Sequence, residues 1–282
     1  MKRILLALVA TGLTMTTFAQ TDTTIIARTD TTSTANADTI RIGSMVIVRK
    51  GDGAKNRNIS FSNRIRASRP KSNFSTNWWI MDFGFSNVDD HTSFSSPQAQ
   101  AFAPGMKKED LALRTGKSVN VNIWFFMQRL NLVKHVVNLK YGLGLELNNY
   151  HFDNENVRIS KSPTQIFLES GNVNEKKNKL AADYITVPMM LNFNFTPGRN
   201  RGFGFSAGVS AGYLYSARQK IKAGDDKDKI RGNLGLEKWK TSAIAELSLG
   251  PVRLYGSHGL GSLWEKGLDQ RPYNVGLRLS RW

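Results

Sequence analysis

The chain has 282 residues, 31.5 kDa, with no cysteine, 40% hydrophobic residues and a formal net charge of +17. Disulfides and thiolate metal or redox chemistry are therefore excluded. Past the N-terminus no run reaches the about 18 apolar residues of a membrane-spanning helix, and 10% aromatic residues argue against wholesale disorder.

Lys2 and Arg3 precede the apolar stretch Ile4–Ala10, and Thr17 and Ala19 occupy the −3 and −1 positions of a small-residue cleavage site. This pattern predicts a secretory signal peptide over residues 1–19, cut before Gln20. No cysteine follows the cut, so no lipid anchor is expected there. Residues 20–75 then read as a periplasmic arm. Nine of the nineteen residues Thr21–Thr39 are Ser or Thr, too little apolar surface to offset the entropy of ordering. Near 39–49 the arm carries a short β segment, with Ile40 and Ile42, then Val46 and Val48, around Gly43-Ser44. It reads as a short hairpin or as one strand able to pair with a partner. Thr21–Phe74 holds ten Lys/Arg against four Asp, the charge of a solvated tether or of a grip on anionic lipid or an acidic partner.

From Thr76 the text alternates. Val137, Leu139, Tyr141, Leu143, Leu145 and Leu147 interleave with Asn138, Lys140, Gly142, Gly144, Glu146 and Asn148. A period of two is that of a strand with one apolar and one polar face. Seven further segments behave alike. Their apolar sets begin with Trp79, Met81, Phe83, Phe85; Val119, Val121, Ile123, Phe125, Met127; Ile185, Val187, Met189, Leu191, Phe193, Phe195; and Phe203, Phe205, Ala207, Val209, Ala211, Tyr213. Ala243–Leu249, Val252–His258 and Tyr273–Leu279 complete the series.

The connections alternate in length. Val88–Leu113, Asp153–Leu180, Gln219–Lys238 and Gly259–Pro272 are long; Arg129–Val133, Pro197–Arg201 and Gly250-Pro251 are short. Several strands reach ten residues, enough for a tilted bilayer crossing. Together these predict an all-β fold: an eight-stranded antiparallel up-and-down transmembrane β-barrel over residues 76–282, with a mostly disordered N-terminal arm. Long loops outside and tight turns inside put both termini in the periplasm. Trp78, Trp79, Phe193, Phe195, Phe203, Phe205 and Trp282 gather near the short turns; Tyr150, Phe152, Tyr184, Tyr213, Tyr215, Trp239 and Tyr273 gather near the long loops. Two interfacial girdles are the expected use of such rings.

Ala182–Asn192, read ADYITVPMMLN, and Phe205–Ala217, read FSAGVSAGYLYSA, resemble the Y-I-x-I-P-x-x-L and G-x-x-x-G-Y-L-x-S-A stretches of the PorT-like outer-membrane β-barrel family. That family is akin in shape to OmpX and OmpA. Tyr255–Leu263 is similar to its penultimate-strand motif. The resemblance covers Thr76–Trp282 and implies an eight-stranded barrel, with some members tied to secretion machinery. Trp282 departs from the pattern, because it shares parity with Ser280 and Arg278 rather than with the lipid-facing residues; a bulge near Ser280-Arg281 would restore the register.

Eight strands enclose a lumen that side chains fill. The inward parity carries Asp82, Lys140, Glu146, Glu246, Arg253 and Arg278, with Tyr184 and Tyr255. Charges of both signs in so narrow a space pair with one another, so an ion-pair plug is expected. No catalytic, cofactor or metal constellation emerges. His91-Thr92-Ser93 beside Asp89 and Asp90 motivates the alternative of a lipid-A-modifying hydrolase, and a small channel is the third reading. His258 and Ser257 point to opposite faces and form no dyad. Lys107, Lys108, Lys176, Lys177, Lys179, Lys220, Lys222, Lys227, Lys229 and Arg231 fall in the long loops, where they would meet lipopolysaccharide phosphates. The function expected is a non-enzymatic scaffold or accessory subunit of an envelope assembly in a Gram-negative outer membrane. Its partners are lipids, including lipopolysaccharide, and other envelope proteins; no cofactor or nucleic acid is expected.

Overall fold

A computed structural model describes residues 37–42, 45–50, 72–170, 175–197, 202–223 and 226–280. The expected signal segment, most of the arm and Trp282 lie outside the described residues. The chain divides into two units, Met1–Pro70 and Lys71–Trp282. In the first, β1 (Ala37–Ile42) and β2 (Met45–Lys50) form an antiparallel hairpin. Its register sets Ile40 opposite Ile47 and Ile42 opposite Met45, while Val46 and Val48 lie opposite Arg41 and Thr39.

The second unit is a closed ring of eight antiparallel strands among the described residues. In order around the ring they are β3 (Phe74–Asp90), β4 (Val119–Val133), β5 (Val137–His151), β8 (Glu175–Asn194), β9 (Phe203–Ala223), β11 (Trp239–Leu249), β12 (Val252–Gly259) and β13 (Gln270–Leu279). β13 pairs back onto β3 and removes the last open edge. The short β4–β5 connection is a tight turn in which Lys134 and His135 both take positive φ, 46° and 59°. That handedness matches the strand twist, and Asn131 Oδ1 holds the turn by accepting the His135 N–H at 2.6 Å.

The alternation places Met81, Phe83, Phe85, Val187, Met189, Val209, Leu247, Leu254, Val275 and Leu277 on the outer wall. A soluble protein would not leave so broad an apolar band uncovered; in a membrane barrel it faces acyl chains. One parity expectation fails. Trp78 and Trp79 are consecutive and both outward, with Trp79 at φ 55°, and across the ladder Phe125 is displaced by a bulge against β5. The matched irregularity stacks Trp78 on Phe126 and Trp79 on Phe125 with centroids 6.0 and 5.9 Å apart. It also turns Met127 inward, to pack with Ile80, Trp124 and Met190 in an apolar layer inside the barrel.

The long connections are shorter as loops than expected, because the strands run past the girdle. β3 continues to Asp90, while β8 and β9 are 20 and 21 residues long. What remains is folded. The first loop carries α1 (Pro97–Phe102), capped by Ser96, and a 3-10 turn at Lys108–Leu111. The second carries the hairpin β6 (Val157–Lys161) and β7 (Thr164–Leu168), and the third carries β10 (Asp226–Arg231), which pairs with β9. Phe102 and Met106 from the first loop, Ile159 and Ile166 from the second, Leu234 and Leu236 from the third, and Leu263 and Trp264 from the fourth share one buried core. Tyr150, Phe152 and Tyr184 belong to this core, at most 4% exposed, and not to the outer girdle. Burial of four loops' apolar residues in common is what makes the cap one body.

Candidate functional site

The inward positions of the strands converge on two charged layers. In the first, Arg278 donates from Nε and Nη2 to the two oxygens of Asp82, both at 2.8 Å, and from Nη1 to Glu246 Oε2 at 2.6 Å. Lys140 Nζ lies 2.8 Å from Glu246 Oε1 and 3.3 Å from Ser206 Oγ, and Arg253 Nη1 approaches the same carboxylate at 3.9 Å. Trp124 Nε1 donates to Asp82 Oδ2 at 2.7 Å. The guanidinium of Arg278 also lies 5.6 and 5.9 Å from the Trp124 and Tyr255 ring centroids.

The second layer lies nearer the long loops. There Glu146 pairs with Lys240 and accepts hydrogen bonds from Asn148 and Asn274, both at 3.2 Å. Between the layers runs an amide relay. Asn122 donates to Asp82, Asn120 donates to Asn122 and Asn148 at 2.9 Å each, and Tyr255 donates its hydroxyl to Asn120. The Tyr255 ring has room because Gly84 and Gly276 oppose each other on β3 and β13. A Cβ at Gly84 would fall 2.6 Å from the Tyr255 hydroxyl and 2.4 Å from Val275 O.

Among the described residues, three carboxylates (Asp82, Glu146, Glu246) thus meet four cations (Lys140, Lys240, Arg253, Arg278) in these layers. All six charged positions taken from the inward parity fall in the layers. Asp82, Glu246, Lys140, Arg253 and Arg278 come together, and Glu146 sits apart with Lys240, a partner that sequence reasoning missed. Extending the β11 alternation back from Ser242 by two residues would have found it. Such charges have left water at a cost of several kcal/mol each, so their saturation by partners decides whether the interior is tolerable.

At the outer wall, Tyr213 and Trp239 pack at 5.0 Å, and Tyr215 is exposed beside them. Phe193, Phe195, Trp78 and Trp79 are exposed at the short-turn end; Tyr273 is half-buried. His91 Nε2 lies 2.9 Å from Asp89 Oδ2, and that hydrogen bond is the main influence holding the Asp89 carboxyl below its ordinary range. Ser257 Oγ accepts from Asn274, facing away from His258. No serine or threonine hydroxyl bonds to His91 or His258 among the described residues. No group of three His, Asp or Glu suited to a metal ion occurs among them either.

A closed ring, an apolar outer band and a polar, ion-paired interior are the pattern of an integral membrane barrel. A family model described as the outer membrane protein beta-barrel domain matches residues 72–263. The chain belongs to that family. The chain is also similar to a solved structure, the attachment invasion locus protein Ail of Yersinia pestis. The identity is 10%, with 72% of this chain and 98% of that chain covered, at a TM-score of 0.30. No curated protein matches this outer-membrane barrel.

Proposed function

We propose that this outer-membrane barrel is a non-catalytic scaffold or accessory subunit of an envelope assembly, working through its surfaces rather than through a passage. The observation that carries the reading is the interior. Two charged layers tie β3, β5, β11, β12 and β13 together, and the shared loop core covers one mouth. Such a plug leaves an eight-stranded wall no aqueous path. On this reading the long-loop end faces out and both termini are periplasmic. Cleavage after Ala19 would leave the arm free, and the β1–β2 hairpin could extend a partner's sheet. The Tyr184–Leu191 and Gly208–Ala217 stretches support placing the chain with the PorT-like barrels.

Affinity isolation of the full chain from gently solubilised outer membranes tests the proposal. Stoichiometric recovery of another envelope protein is expected, and recovery of the barrel alone would overturn it. In planar bilayers the purified barrel is expected to be electrically silent, whereas steady single-channel conductance would replace the scaffold with a small channel. A second reading, a lipid-A-modifying hydrolase, is favoured by the open groove on the outer wall that Asp89, His258, Tyr273 and Ala245 line, beside the His91–Asp89 pair. Lipid A of unchanged mass in a His91→Ala strain would end that reading.

A further inference from the structure

The charge of the long-loop end is arranged in rows. β8, β9 and β10 rise side by side above the girdle, and their registers align three successive ranks. Lys177 lies opposite Lys222, which lies opposite Lys227; Lys179 opposite Lys220 opposite Lys229; and Ala181 opposite Arg218 opposite Arg231. Eight of nine grid positions are cationic. Directly opposed residues on neighbouring strands share a face, so Lys177, Lys179, Arg218, Lys220, Lys222, Lys229 and Arg231 fall on one side of the sheet. The other side is spoken for. Asn178, Gln219 and Ile221 are buried there, and Asn178 and Gln219 donate to Val157 O at 2.6 and 2.9 Å.

The cationic side continues the lipid-facing wall. β9 carries an extra residue at Tyr215, where the β8 register shifts between Asp183 and Tyr184. Below it Tyr213 and Tyr215 point out; above it Arg218, Lys220 and Lys222 take the outward positions, alternating with buried Gln219 and Ile221. The bulge thus turns an aromatic stripe into a cationic one on the same wall. Acidic compensation is slight. Asp183 binds Arg218, and no ion pair joins Lys177, Lys220, Lys222, Lys229 or Arg231 to an acid among the described residues. Asp228 lies opposite Ile221, in register with the other face. Like charges set directly across a ladder are destabilising, so the array asks for an anion.

Depth identifies the anion. At about 3.4 Å per residue and a tilt near 45°, Arg218 stands about 7 Å above Tyr215 and Lys222 about 17 Å above it. Tyr213, Tyr215 and Trp239 mark the edge of the hydrocarbon. The Arg218 rank therefore sits at headgroup level, and the Lys220 and Lys222 ranks rise past the shallow headgroup of a glycerophospholipid. We propose that this face binds a phosphorylated glycolipid of the outer leaflet, lipopolysaccharide in chemical class, with phosphates held at more than one height by the Lys/Arg ranks of β8, β9 and β10. The inference rests on the reading of the long-loop end as outward-facing, and it assigns to a specific patch what the sequence offers only as scattered loop lysines.

The test uses the full chain in detergent micelles, titrated with diphosphorylated lipid A and followed by native mass spectrometry. The quadruple variant Lys220→Gln, Lys222→Gln, Lys229→Gln, Arg231→Gln should lose affinity by tenfold or more, since each basic residue near an anionic surface contributes several-fold on its own. The control variant Lys107→Gln, Lys108→Gln, Lys134→Gln, Lys266→Gln removes the same charge elsewhere and should stay within about threefold of wild type. Dephosphorylated lipid A should bind wild type at least tenfold more weakly than the diphosphorylated form. Equal binding of the two lipids, or full retention by the quadruple variant, would overturn the proposal. Inositol hexakisphosphate binding as tightly as the lipid would overturn it too, in favour of a soluble polyanion. Heat-modifiable gel migration establishes that each variant is folded, and if the quadruple variant is not, the two-lipid comparison on wild type decides. A folded barrel that ignores phosphate would sink this inference and leave the scaffold reading standing.

Discussion

Arg278 grips Asp82 with two parallel hydrogen bonds, each 2.8 Å, from directly opposed positions on β13 and β3. The two residues lie 196 positions apart, and the strands they join are the last and first of the ring. The clamp therefore acts at the seam that closes the ring. It is bidentate and buried, the geometry in which an ion pair contributes rather than merely survives.

Removing one partner should cost far more than removing both. Arg278→Met strands Asp82 with neutral donors, and Asp82→Asn leaves Arg278 with Glu246 alone, so each single variant should lose about 3–5 kcal/mol. The double variant should lose clearly less than the sum. Urea unfolding of the lipid-inserted barrel, followed by tryptophan fluorescence, reads the cycle. Additivity within about 0.5 kcal/mol would show that the clamp carries no coupling.

The matched irregularity at Trp79 and Phe125 predicts opposite environments for neighbours. The chain lacks cysteine, so Phe126→Cys and Met127→Cys can each be spin-labelled alone. The label at 126 should be relaxed by lipid-dissolved oxygen and the label at 127 should not. Met127→Ala should also cost about 2–5 kcal/mol as a core cavity, because Met127 is fully buried. Oxygen access at 127 but not at 126 would mean that the strict alternation holds through the strand and Met127 faces lipid.

How much was legible follows from these particulars. Period two fixed the inward set on β5, β11 and β13 because that pattern needs no knowledge of the partner strand. It misled where a bulge changes parity, at Met127, and fell silent where alternation ends. Tyr150 and Phe152 read as girdle aromatics, since nothing local says that four loops will converge on them, whereas Tyr184, placed near the girdle and also on the inward parity, follows its parity into the core. The lysines of β8, β9 and β10 read only as scattered long-loop charge facing lipopolysaccharide for the same reason: their alignment is a property of three registers, and no single segment displays it. Lys240 could have been found by carrying the alternation two residues further.

The loop core should loosen without the barrel. Gly267 has φ 84°, and a Cβ there would fall 2.4 Å from the Cβ of Phe102, whose ring packs on Trp264 at 5.5 Å. Gly267→Ala meets both backbone strain and a clash and should weaken the core by about 1–3 kcal/mol. Tryptic cleavage after Lys107 or Lys108 should accelerate about tenfold or more, because local opening governs access. Heat-modifiable migration should be unchanged. Unaltered proteolysis would show that the loops do not depend on one another.

Lys179 gives the cationic ranks a pH signature. Its pKa is pushed down to about 8, first by burial and then by Lys177, Lys220 and Arg218, with Asp183 opposing. Lys229 across the rank and His151 on β5 face it as well. His151 stays neutral through the window, since burial and the surrounding lysines hold it down to about 4. For the unliganded barrel, the unfolded chain binds this proton more tightly than the fold between about 8 and the ordinary 10.5. Stability should therefore rise with pH across that window. Phosphate binding has the opposite slope, because it favours the charged ammonium: affinity for diphosphorylated lipid A should fall as pH is raised from 7 to 9. Lys179→Arg, which stays charged, should flatten the affinity profile and leave the low-pH binding intact. Thermal melts with and without lipid separate the two slopes, and parallel pH profiles for wild type and Lys179→Arg would remove Lys179 from the phosphate face.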